Sequence, residues 1–165
     1  MDEPTIESRP GWVYVSLRQD VTMTGLGKAV QDGVERVAKY FAAHGLQPSG
    51  PPFVRYVFIN MMEKLTVETG FPLDEVHAPS DTLLAAGAAP SGDYVCARHV
   101  GPPESLITAN AELQHWAATK GVTLDVRREE GGEYWAARFE RLLIGPATER
   151  SPEKWVTELA YRTAR

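Results

Sequence analysis

One cysteine, Cys96, stands alone among 165 residues, which excludes a disulfide within the chain and a cysteine-rich metal centre. No apolar run approaches the roughly 20 residues of a membrane span, and the N-terminal MDEPTIESRP lacks the basic and apolar regions of a secretion signal. The expectation is a protein of the cytoplasm without a membrane partner. Lys and Arg number 17 against 22 Asp and Glu, for a formal net charge of −5, and no stretch gathers the cations that a phosphate-tracking groove requires. Direct nucleic-acid binding is not expected, and no helix-turn-helix pattern precedes residue 12.

Known catalytic signatures are missing too. His44, His77, His99 and His115 are scattered, and Glu112-x-x-His115 has no second copy, so neither a metal nor a cofactor is expected. GLGK at 25–28 lacks phosphate-loop spacing, no Rossmann glycine pattern follows a strand, and GxSxG is absent. Cys96 has no activating histidine near it in sequence and reads as a small buried residue.

The sequence is instead rich in strand and helix periodicity, with 43% hydrophobic and 24% charged residues, enough for a real core. WVYVSLR at 12–18 alternates Val13, Val15 and Leu17 against Trp12, Tyr14 and Ser16, and DYVCARH at 93–99 follows the same period. Helical stripes come next: Val30, Val34, Val37 and Phe41 in one case, Leu106, Ala109, Leu113 and Trp116 in the other. Each ends at a glycine, Gly45 or Gly121, as expected of a left-handed helix terminus. FVRYVFIN at 53–60 and WAARFERLLI at 135–144 then supply further strands, and TVETGFPL and WVTELAY close the two halves. The order predicts an α+β fold of two pseudo-symmetric strand-helix-strand-strand modules, 12–76 and 93–165, each an antiparallel sheet with one main helix, that meet along the faces their helices leave free. HAPSDTLLAAGAAPSG at 77–92 reads as an exposed linker, with its leucines against the body, and REEGGE at 128–133 as a hairpin-like turn.

Glu68 and Glu158 occupy matching places in the closing strands, each on the face opposite the large residues and two positions before a small one, Gly70 or Ala160. Tyr14 and Tyr94 lie on the same strand face as Ser16 and Cys96, away from the valines that meet the helices. For Tyr56, Trp135 and Phe139 alternation does not decide the face, because both sides of their strands carry bulky residues.

This order of elements, with GLQPSGPPFVRY, TVETGFPL, GDYVCARHVGPPESL, LQHWAATKG and WVTELAY, resembles the gyrase-inhibitor-like (GyrI-like) effector-binding superfamily over nearly the whole chain. The resemblance implies two modules about a pseudo-twofold axis, and a cleft that binds lipophilic, often cationic, small molecules. It implies a cleft glutamate at Glu158, with Glu68 as its counterpart. The chain departs from the family pattern at Glu140-Arg141-Leu142, where a Glu-x-Tyr pair is frequent, and at Arg162, where proline is common.

The expected function is therefore multidrug-type binding of a lipophilic or cationic small molecule, with Glu158 supplying the charge, its counterpart Glu68 also at the ligand, and Tyr14, Tyr94, Tyr56, Trp135 and Phe139 as the walls. The alternatives are a hydrolase of cyclopropane-bearing genotoxins, with Glu158 activating water at a raised pKa and Tyr94 handling a proton, and a protein partner such as a topoisomerase docked on the acidic surface.

Overall fold

The structure is a computed structural model that describes residues 1–164. The chain runs β1 (Thr5–Arg9), β2 (Trp12–Val21), α1 (Leu26–His44), β3 (Phe53–Asn60), β4 (Lys64–Leu73), β5 (Leu84–Ala89) and β6 (Gly92–Val100). It continues through α2 (Leu106–Thr119), β7 (Val126–Glu129), β8 (Gly132–Trp135), β9 (Arg138–Ile144) and β10 (Val156–Arg162). The strands pair antiparallel in the order β1-β6-β10-β9-β3-β4-β2-β5, and a β7–β8 hairpin adds to β3. This is an α+β fold built on one curled sheet with two helices.

Both halves place their strands alike. In each half three strands repeat one order, with the strand before the helix farthest from the seam, the closing strand in the middle and the strand after the helix at the seam, giving β2-β4-β3 and β6-β10-β9. The inner strands join the halves, with Phe53, Val54 and Arg55 opposite Arg141, Glu140 and Phe139. Helix α1 ends on Gly45, which adopts φ 64, and Gly121 beyond α2 adopts φ 71; both are left-handed conformations that favour glycine.

Two edge strands depart from expectation. Leu84–Ala89, inside the segment read as a linker, pairs along β2 from Leu17↔Leu84 to Trp12↔Ala89. Its LAAGAA sequence has little strand propensity, so pairing and packing decide its state. Gly87 is needed there, because a Cβ would run into the Tyr14 ring. Thr5–Arg9 likewise pairs with β6, in the other half of the chain.

Both helices cover one sheet face. Val95, Ala97, Leu159 and Tyr161 pack with Leu113 and Ala117 of α2, and the same cluster takes in Leu26 and Val30 of α1. The opposite face holds Tyr14, Phe53, Tyr94, Cys96, Phe139 and Ala160, with Trp12 against them. The Trp12 and Phe139 ring centroids are 5.0 Å apart although β4 and β3 lie between their strands. Strands separated in that way on a flat sheet would be about 14 Å apart, so the sheet curls around this face and its own rings fill it.

Candidate ligand-binding site

The residues expected to share one cleft are divided between two faces. Glu158, Glu68, Tyr14, Tyr94 and Phe139 lie on the face without helices, where Tyr14, Tyr94 and Phe139 are buried among one another's neighbours. Tyr56 and Trp135 lie on the helix-covered face. The ambiguity that alternation left in β3 and β9 is thereby settled by packing: Phe53 and Phe139 go one way, Val54 and Tyr56 the other.

Glu158 is 7% exposed and ion-paired twice. Arg9 Nη1 and Nη2 donate to its two carboxylate oxygens at 2.9 and 3.0 Å, and Arg141 Nη1 donates to Oε1 at 3.0 Å. Burial alone would push this carboxyl up, but the hydrogen bonds and charges of Arg9 and Arg141 outweigh it and hold the pKa below the usual carboxylate value. The expectation of a raised pKa, on which a general base would depend, is not met. β1 is the reason, since its pairing with β6 delivers Arg9 to a position that the local sequence around Glu158 does not announce.

Glu68 is also engaged. Tyr14 Oη donates to it at 2.6 Å and itself accepts from Arg55 Nη1 at 2.7 Å, while Arg18 lies 3.5 Å from the other carboxylate oxygen. Tyr94 Oη donates to the carbonyl of Pro90 at 2.7 Å, and burial raises its pKa. A phenol spent on a backbone carbonyl is poorly placed to transfer a proton. The Cys96 thiol is pushed up to about 12 by burial, so it is no nucleophile at neutral pH.

The helix-covered face holds a different carboxylate, Glu140, which is 5% exposed. Tyr56 Oη donates to its Oε1 and Asn110 Nδ2 to its Oε2, each at 2.9 Å, and Tyr161 Oη donates to Asn110 Oδ1. All its hydrogen-bond donors here are neutral. Two residues earlier on β9, and so on the same face, the Arg138 guanidinium lies 5.2 Å from the Tyr56 ring centroid, 4.8 Å from Trp135 and 4.7 Å from Tyr161. Burial is the first cause that raises the Tyr56 and Tyr161 pKa values, so both phenols stay protonated as donors. Glu140, Asn110, Arg138 and Tyr161 were not among the expected site residues. The available signal was the place of Glu140, which falls where the resemblance has a Glu-x-Tyr pair.

Among the described residues no group of three or more His, Cys, Asp and Glu could hold a metal ion. His99 Nε2 lies 2.7 Å from Ser105 Oγ, but that hydroxyl donates to the Pro102 carbonyl at 2.7 Å. The imidazole must then donate to the serine, which leaves the serine unactivated.

No protein-family model matches the sequence, and no curated protein matches it. Solved structures match along its whole length. The C-terminal domain of EcmrR aligns with a TM-score of 0.76 and 16% identity, covering 99% of this chain and 98% of that one. SAV2435 bound to tetraphenylphosphonium aligns with a TM-score of 0.65 and 13% identity, over 98% and 94%. The chain has the fold of the GyrI-like effector-binding domains. A hydrolase from Listeria innocua shares this GyrI-like fold, with a TM-score of 0.65 and 17% identity over 98% and 92%. Against EcmrR in its DNA complex, the chain spans 57% of that chain's length. On the GyrI-like sheet, Glu140 sits on the inner strand of the second half, beside the β3–β9 seam, and Glu158 one strand further out.

Proposed function

We propose that this chain is a small-molecule-binding domain that takes lipophilic cations on the helix-covered face, against Glu140 and the rings of Tyr56, Trp135 and Tyr161. One observation carries the reading. Glu140 is a buried carboxylate whose two hydrogen-bond donors are neutral, and beside it three aromatic faces form a seat for a cation that the chain's own Arg138 occupies. A carboxylate in such a setting gains from a cation more than from any neutral group, because little water screens it. Aromatic faces add cation–π attraction of about 1–2 kcal/mol when desolvated.

The fold likeness supports this class of function, since SAV2435 was seen with tetraphenylphosphonium, a lipophilic cation. Glu158 and its surroundings are less suited, because two guanidinium groups already neutralise that carboxylate. Hydrolysis by Glu158 as general base is weakened for the same reason.

Thermal shift with tetraphenylphosphonium and with tetraphenylborate tests the reading, since the two ions share a shape and differ in sign. Saturable stabilisation by the phosphonium alone is the expected result. Equal stabilisation by both ions, or by neither, would remove charge recognition from the proposal.

A further inference from the structure

The seat that a ligand's charge would take is already filled by the chain itself. Arg138 is 7% exposed, and its guanidinium carbon lies within 5.2 Å of three ring centroids, those of Tyr56, Trp135 and Tyr161. None of the ion pairs among the described residues includes it, and its buried Nε has no hydrogen-bond partner among them. A buried cation ordinarily takes a carboxylate or several acceptors. Here the rings hold it, with Glu140 two positions along the strand as the nearby opposite charge.

We propose that Arg138 is an internal competitor for the aromatic seat, which keeps the site closed and sets its specificity for cations. The inference rests on the reading that ligands bind on this face. A lipophilic cation enters by displacing the Arg138 side chain towards solvent, and Glu140 then balances the incoming charge instead of the outgoing one. Exchange of one cation for another leaves the buried charge unchanged, so neither half of the Glu140 balance is stranded. A neutral molecule of the same shape would have to evict the guanidinium and leave Glu140 uncompensated. Arg138 thus discriminates by charge and also weakens every ligand by the fraction of time it occupies the seat.

The experiment is titration of tetraphenylphosphonium into wild type, Arg138→Met and Arg138→Lys, with circular dichroism confirming that each is folded. Met keeps an unbranched apolar stem and removes the charge, and Lys keeps a cation that can still occupy the rings. Arg138→Met is expected to bind about 10- to 100-fold more tightly than wild type, and Arg138→Lys much closer to wild type. Should wild type bind while folded Arg138→Met binds equally or more weakly, the competitor role is wrong and the binding site stands. If neither binds, the binding site itself is wrong and the competitor role falls with it. A second readout covers an Arg138→Met chain that fails to fold. Arg55 and Arg127 also lie over single rings, so the isotope-labelled Arg138 signal is assigned by its loss in Arg138→Lys; its ring-current shifts should disappear on phosphonium binding, and Arg138 shifts unchanged at saturation would overturn the proposal.

Discussion

Arg9 grips Glu158 with both terminal nitrogens, at 2.9 and 3.0 Å, across 149 positions of sequence. A bidentate guanidinium on a buried carboxylate ties the N-terminal strand to the last one, since β1 and β10 flank β6 on either side. Replacing Glu158 by Gln is expected to destabilise the fold by about 1–3 kcal/mol, as two guanidinium groups lose their charged acceptor. Chemical denaturation measures this directly. A change within a few tenths of a kcal/mol would mean that water replaces the pair at no loss.

The same pair sets an acid limb. The Glu158 carboxyl titrates below its ordinary value of 4.5 in the folded chain. A group whose folded pKa is depressed contributes stability above its unfolded pKa and loses it as pH falls through the folded one. Wild type should therefore lose stability as pH drops below about 4.5, and Glu158→Gln should lose less over that range. Melting temperature against pH for the two chains is the check, and parallel curves would contradict the ion-pair account.

Gly33 separates helix propensity from packing. It sits in α1 facing Thr69 of β4, and a Cβ there would overlap the Thr69 hydroxyl and approach Thr69 Cβ to 3.0 Å and Gln19 Nε2 to 3.2 Å. Alanine favours the helix by about 1 kcal/mol over glycine, whereas overpacking a buried contact costs about 1–3 kcal/mol. Thr69 is fully buried and β-branched, so it has little freedom to turn away. Gly33→Ala is expected to destabilise, and a stabilised variant would show that the helix can shift.

The two sheet faces should respond differently to substitution. Tyr14→Phe removes a hydroxyl shared by Arg55 and Glu68, so it should cost about 1–3 kcal/mol of stability yet leave phosphonium affinity within about twofold. Trp135→Ala takes one ring from the cage and should weaken the phosphonium about tenfold or more. Calorimetric titration of both variants decides the face, and the reverse pattern would move the site to the other side.

Much of the fold was legible because periodicity is a local signal. The strands over 12–18 and 93–99, both helices with their glycine exits, and the turn at 128–133 all follow from spacing within a few residues. β5 was not legible, because alanine and glycine carry no strand signal and only pairing with β2 orders them. Glu158 could be read as buried, but Arg9 could not be read as its partner, since strand pairing at the sheet edge brings them together. Glu140 was hidden by neighbours that are bulky on both sides, so the carboxylate facing Tyr56 and Asn110 looked no different from Arg141 on the opposite face.

The most direct test sets the two buried carboxylates against each other. Calorimetric titration of tetraphenylphosphonium into Glu140→Gln and Glu158→Gln, each confirmed folded, should show Glu140→Gln weakened by about 1–3 kcal/mol and Glu158→Gln close to wild type. Loss of binding in Glu158→Gln with Glu140→Gln unaffected would contradict the placement of the site on the helix-covered face.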